Sequence, residues 1–307
     1  MMRRRWYPSA QLLGRAAGTG WSAGSRVIVS GGSSYENCEL YGGRAAGGST
    51  LSGEIERFQL TENGGWDNTS TPSQQIPHQT GGSLPVARAG HTQAWNNGSA
   101  LSMVFGGQIA NLTYKQELWL LRHAGNATDN DFVYEWENAT PDPSFSPSPD
   151  PRSQHTAVVM ADYSMIVYGG IGHPGSNDVV LDDGVWRLSP GAPWTWTHLS
   201  TTSSELPGPR QGHTAIYDQP HNRVLVFGGA STTAANPTLA DNEVWSLKVD
   251  TTVAPPQAVW SKIPLRSGSG RPAARTEHVM VYDGGDRGGA SSRCAQAVVG
   301  RRRAPNM

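Results

Sequence analysis

The chain has 307 residues with 24 Lys and Arg against 25 Asp and Glu, a formal net charge of −1 that argues against nucleic acid as a general partner. Only 16% of residues are charged, while 37 Gly, 21 Pro and 11 Trp imply many turns and wide apolar contacts, as in an all-β globular protein large enough for a sizeable core. No run of about 18 apolar residues occurs, so no helical membrane span is expected, and no apolar stretch follows the basic Met1–Tyr7 to make a signal peptide.

In chain order, Arg5-Trp6-Tyr7-Pro8-Ser9-Ala10 opens a first unit. Its second strand is predicted over 25–30, ended by Gly31-Gly32; a third over Glu54–Leu60; and a fourth from Trp66. The Gly-, Ala- and Ser-rich 42–52 stretch reads as a surface loop. A second unit has Arg88-Ala89-Gly90-His91-Thr92, Val104-Phe105-Gly106-Gly107, Glu117-Leu118-Trp119 and Trp136. A third has Arg152-Ser153-Gln154-His155-Thr156-Ala157, Val167-Tyr168-Gly169-Gly170, Val185-Trp186 and Trp196. A fourth has Arg210-Gln211-Gly212-His213-Thr214-Ala215, Val226-Phe227-Gly228-Gly229, Val244-Trp245 and Trp260. A fifth begins at Arg275-Thr276-Glu277-His278.

The interval between successive repeat arginines, Arg88, Arg152, Arg210 and Arg275, changes from unit to unit. The step from each arginine to its second glycine, Arg88 to Gly107, Arg152 to Gly170 and Arg210 to Gly229, hardly changes at all. A fixed first half with variable length downstream is the behaviour of a rigid repeat joined by adjustable loops. Each unit reads as four short strands. The 213–217 and 243–249 stretches alternate polar and apolar residues, 223–227 is nearly all apolar, and 258–263 carries the second tryptophan. Tryptophans recurring in register are expected to lock one sheet onto the next, with ligand stacking as the other reading.

Four-stranded antiparallel sheets in tandem make a β-propeller. The Arg, His-Thr-Ala, glycine-doublet and spaced-tryptophan pattern resembles the Kelch repeat over residues 85–283. That resemblance implies a Kelch-type propeller over residues 1–283, with blades at 5–70, 85–137, 151–199 and 209–263, a partial blade at 272–283, and a basic tail, disordered or wrongly ended, at 284–307. The repeat period calls for a glycine-terminated apolar strand near residue 294, and the sequence supplies none there. About four blades plus one strand suggests part of a larger propeller; a small propeller with a basic tail is the alternative.

The first unit also resembles a blade of the galactose oxidase and glyoxal oxidase family, Kelch-type propellers with copper and a tyrosine–cysteine cross-link. By that resemblance Tyr7 takes the cross-linked tyrosine's place. Cys38 lies on the wrong side of it, however. The family's Tyr-His pair is also not matched, because His91, His155, His213 and His278 follow Gly90, Gln154, Gly212 and Glu277. A fragment of such an oxidase is therefore the alternative to a non-catalytic scaffold, and neither cofactor nor metal is assigned.

Elsewhere the chemistry-bearing residues are periodic. The four histidines fit one hydrogen bond repeated in every blade. Glu117, Asp182-Asp183 and Asp241-Asn242-Glu243 fit turn-satisfying acids just before each third strand. The proline-dense 141–151 stretch fits an extended connection, or an SH3-type ligand. Arg88, Arg152, Arg210 and Arg275 fall in a ring. They either dock an acidic segment of a protein partner, as guanidinium groups suit, or brace their own blades against local carbonyls and carboxylates. Cys38 and Cys294 form no framework or zinc pattern. Five sequons, at Asn68, Asn97, Asn111, Asn126 and Asn138, mark a cluster of candidate N-glycosylation positions in the first half of the chain. Together with low charge they lean towards an extracellular protein rather than a cytoplasmic one. The expected function is a non-catalytic module presenting loops to a protein or glycan.

Overall fold

The computed structural model describes residues 11–13, 21–22, 25–29, 37–45, 51–59, 74–75, 83–96, 101–110, 113–123, 134–142, 144, 146–172, 180–231, 238–264, 270, 272–278, 280–283 and 293–295. Tyr7, Trp66, Gly31-Gly32 and the sequons at Asn68, Asn97, Asn111 and Asn126 lie outside them.

Three consecutive units are four-stranded antiparallel blades. The first orders Thr92–Asn96, Leu101–Phe105, Leu118–His123 and Tyr134–Asn138 from inside to outside. The second uses Thr156–Val159, Met165–Tyr168, Val185–Leu188 and Trp196–Thr201. The third uses Thr214–Asp218, Arg223–Phe227, Val244–Asp250 and Gln257–Lys262. Blades two and three join into one eight-stranded sheet because Ser200 and Thr201 run on beyond their own blade and pair in parallel with Gln257 and Ala258 of the next. The fold is all-β and propeller-like.

The second strand of the middle blade shows why its sequence is apolar without alternation. Met165 and Val167 face the first blade and pack with Phe105, Leu118 and Trp196, while Ile166 and Tyr168 face the third and pack with Val224, Val226 and Trp260. Both faces of the sheet are covered, so every position of Met165–Tyr168 is buried, each large side chain contributing on the order of 1.5–3 kcal/mol. The late tryptophans do join sheets: Trp196 packs 4.9 Å from Phe105 of the preceding blade, and Trp260 4.9 Å from Tyr168. The third-strand tryptophans Trp119 and Trp186 instead meet rings within their own blades, Trp119 edge-on to Trp136 and Trp186 tilted against His198.

The chain leaving each blade is tied to the next. The hydroxyl of Ser146, in the proline-dense stretch, donates to Trp196 O and accepts from Trp196 N–H, both at 3.2 Å. Ser203 Oγ accepts from Trp260 N–H at 2.7 Å.

Two stretches differ from the sequence expectation. Asn37–Ala45 and Leu51–Gln59 form a long hairpin with a register shift between Tyr41 and Gly43, so most of the expected 42–52 loop is strand. The order Gln11–Leu13, Ser25–Val29, Asn37–Ala45, Leu51–Gln59 then makes the predicted third strand the fourth, with Gln74–Gln75 added outside it. Glycine weakens a strand but removes no backbone donor or acceptor, and a bulge absorbs the irregularity. At the other end, Arg293–Ala295 pairs with Val281–Asp283 where no strand was expected.

Candidate functional site

The repeated polar residues converge at one end of the blades, where the first strands start and the second strands end. Arg88 donates through Nη1 to Gly106 O at 2.9 Å, through Nη2 to Glu117 Oε2 at 2.7 Å and through Nε to Val86 O at 3.0 Å. Arg152 makes the same set with Gly169 O, Asp182 Oδ2 and Asp150 O at 3.1, 3.1 and 3.0 Å. Arg210 repeats it with Gly228 O, Asp241 Oδ2 and Gly208 O at 3.0, 3.4 and 3.4 Å, and its Nη2 also meets Pro207 O. Each guanidinium thus holds the first glycine of its own doublet and the acid before its own third strand. Arg88, Arg152 and Arg210 are only 0%, 1% and 1% exposed. Arg275 is half-buried, its Nε donating to Ala273 O at 2.9 Å.

The acids therefore do more than satisfy turns. Asp182 Oδ1 does accept from Gly184 N–H at 2.6 Å, yet Glu117 also accepts from Trp119 Nε1 at 3.0 Å, and Asp241 from Trp245 Nε1 at 3.1 Å. Burial alone would raise the Glu117 pKa, but hydrogen bonds from Arg88 and Trp119 and the Arg88 charge bring it down to about 2. Only the recurrence of an arginine and a later acid at a nearly constant separation in three successive units could have signalled these pairs.

The histidines reach across the junctions. His155 Nε2 lies 2.9 Å from Thr92 Oγ1 of the preceding blade, His213 Nε2 2.9 Å from Thr156 Oγ1, and His278 Nε2 2.9 Å from Thr214 Oγ1. Each ring also stands edge-on to the aromatic before the preceding doublet, namely Phe105, Tyr168 and Phe227, at 5.3, 5.2 and 5.3 Å. Burial first, then the nearby arginine charge, lowers all three pKa values: His155 well below 6.5, His213 to about 3 and His278 to about 4. These imidazoles are neutral at physiological pH.

Glycine is required at the doublets by geometry. Gly169 has φ +67°, and a Cβ there would lie 2.6 Å from Arg210 O and 2.8 Å from His213 Cε1. The second glycine's N–H crosses the junction: Gly107, Gly170 and Gly229 donate to the carbonyls of Arg152, Arg210 and Arg275 at 2.8, 2.9 and 2.7 Å. The residues just before the histidines continue the same linkage, with Gln154 N–H donating to Gly90 O, Gly212 to Gln154 O and Glu277 to Gly212 O. All four hold left-handed backbone, φ between +55° and +64°.

Around this end the connections expose apolar side chains. Leu84, Val86 and Leu206 precede the arginines and are 43%, 53% and 46% exposed; Val180 and Leu239 precede the acids and are each 44% exposed. A cleft of about 140 Å³ opens beside Leu206, lined also by Tyr168, Asp183, His198 and Trp260. Among the described residues no group of three or more His, Cys, Asp or Glu could hold a metal ion. Cys38 lies within the Asn37–Ala45 strand and Cys294 within Arg293–Ala295. No described helix is long and apolar enough to cross a membrane.

No family model matches the chain. It is 41% identical over 86 residues to an F-box/kelch-repeat protein of Arabidopsis thaliana, covering 27% of this chain and 16% of that one. A host cell factor homologue of Caenorhabditis elegans is 28% identical over 208 residues, 60% of this chain and 25% of that one. Multiple epidermal growth factor-like domains protein 8 of Mus musculus is 24% identical over 211 residues, 65% of this chain and 7% of that one. The matched stretches span a quarter or less of these relatives' lengths. Among solved structures, a chain of a cryo-EM structure of RAG with one melted and one unmelted RSS has a TM-score of 0.60 at 14% identity, covering 89% of this chain and 75% of that one, a likeness of fold alone. The chain is similar to kelch-repeat proteins at low identity, and its blades are kelch-like.

Proposed function

We propose that this chain is a non-catalytic, kelch-like propeller module that binds a protein partner through the connections at its arginine end, the propeller occupying residues 1–283. The observation that carries this reading is the recurrence of exposed Leu84, Val86, Val180, Leu206 and Leu239 on those connections. Exposed apolar side chains recurring on loops of variable length, over a rigid scaffold, are what a partner surface needs. The similarity to kelch-repeat proteins supports the same reading. The arginines enter it as braces. An acidic segment would need a reachable guanidinium, and three of the four are at most 1% exposed. An apolar contact beside the Leu206 cleft fits the surface better.

The test is site-specific photo-cross-linking of the full chain in its native cells. A photoreactive phenylalanine analogue would replace Leu206 or Leu239, or Asn222 on a hairpin at the opposite end of the blade. One protein joined to the first two positions and missing from the third is expected. Equal adducts at all three positions, or adducts only at 222, would overturn the proposal.

A further inference from the structure

Among the described residues one sequon is present in full, Asn138-Ala139-Thr140. Asn138 ends the outermost strand of the first blade, opposite Trp119. The register places His198 opposite Trp186 and Lys262 opposite Trp245 at the equivalent positions. Those two side chains are engaged with their tryptophans: the His198 ring stacks 4.9 Å from Trp186, and Lys262 Nζ sits 5.2 Å from the Trp245 ring centroid. In the first blade Trp136 stands edge-on to Trp119 instead, at 6.4 Å. Asn138 turns to the chain that follows it: its Oδ1 accepts from Thr140 N–H at 3.1 Å and Thr140 O–H at 2.6 Å. Thr140 is fixed in turn, its Oγ1 accepting from Leu118 N–H at 2.9 Å.

We propose that Asn138 is an N-glycan acceptor. Its carboxamide is exposed, faces the hydroxyl that completes the sequon, and keeps Nδ2 without a hydrogen bond among the described residues. In the transfer, Nδ2 bonds to the anomeric carbon of an oligosaccharide carried on a polyprenyl diphosphate. The carbon–oxygen bond to the diphosphate breaks, the diphosphate departs with the electron pair, and Nδ2 loses one proton. The product needs no repacking. The strand end is flanked by the surface pair Arg122–Glu137, whose side chains are 44% and 52% exposed. Use of the site requires that the chain enter a eukaryotic secretory pathway.

The test expresses the full chain behind a cleavable secretory leader in cultured eukaryotic cells. All copies whose leader has been removed are collected, whether secreted or retained. They are treated with peptide-N-glycosidase in heavy-oxygen water and cut after glutamate, so that Glu137 separates Asn138 from Asn126. Heavy-oxygen label is expected at residue 138 in the wild type and in Thr140→Ser, and its loss in Thr140→Val and Asn138→Gln. An unlabelled residue 138 in the wild type, or label surviving in Thr140→Val, would overturn the assignment. The wild-type measurement stands even if a variant folds poorly.

Discussion

Thr156 and His213 belong to different blades, far apart in the chain, yet their side chains meet at 2.9 Å in a buried hydrogen bond. Thr92–His155 and Thr214–His278 repeat the contact at the neighbouring junctions. Both partners at the central junction are almost wholly enclosed, Thr156 being 4% exposed and His213 2%. Thr156→Val keeps the shape and strands a buried ring nitrogen, so it is expected to destabilise the fold by about 1–3 kcal/mol. Denaturant titration measures the loss, and Thr156→Ser should recover most of it. A valine variant as stable as wild type would remove the junction bond from the energetics.

The histidines also set a pH dependence. Their folded pKa values are depressed, to about 3 at His213 and about 4 at His278, so below pH 6.5 the unfolded chain takes up protons that the folded one refuses. Stability is full above pH 6.5 and declines as pH falls towards 4. Each such histidine contributes a slope of about 1.4 kcal/mol per pH unit across that window. Melting temperatures measured from pH 7 to pH 4 should fall more steeply for wild type than for His213→Phe. Parallel curves would contradict the assignment.

Two glycines separate backbone conformation from crowding. Gly208 and Gly169 both hold left-handed backbone, but a Cβ at 208 would meet nothing within 4 Å, whereas at 169 it would strike Arg210 O and His213. Gly208→Ala is expected to cost about 1–2 kcal/mol from conformation alone. Gly169→Ala should cost at least about 2 kcal/mol more, because a packed junction must open. Equal melting temperatures would show that the doublet is not pinched between blades.

Arg152→Lys tests the braces. A single ammonium cannot reach Gly169 O, Asp150 O and Asp182 together as the guanidinium does. A loss of about 3 kcal/mol is expected from the buried acceptors left behind, while cross-linking from position 206 persists. Unchanged stability with lost cross-linking would make the arginine a docking residue after all.

How much of this was legible in sequence differs by residue. The Arg223–Phe227 strand and the Gly228-Gly229 doublet could be read directly, because an apolar run ending in two glycines has few other meanings. The inter-sheet role of Trp196 and Trp260 followed from their recurrence. The Thr–His and Arg–acid pairs were not legible as pairs. Their partners are distant in the chain, and each alone looks like an ordinary strand or turn residue. Asn37–Ala45 was missed for a different reason: strand pairing there uses backbone groups that a glycine-rich composition does not advertise. At Asn138 the motif was plain, but its place opposite Trp119 needed the strand register.

The three described junctions are all built the same way round. The second glycine's N–H and the threonine hydroxyl wait on the earlier blade, and the arginine carbonyl and histidine ring that meet them come from the later one. During synthesis a newly emerged blade can therefore complete its predecessor, while its own far side stays open until the next follows. A chain stopped after either of the first two of these blades leaves the same set of unmet groups on its last one.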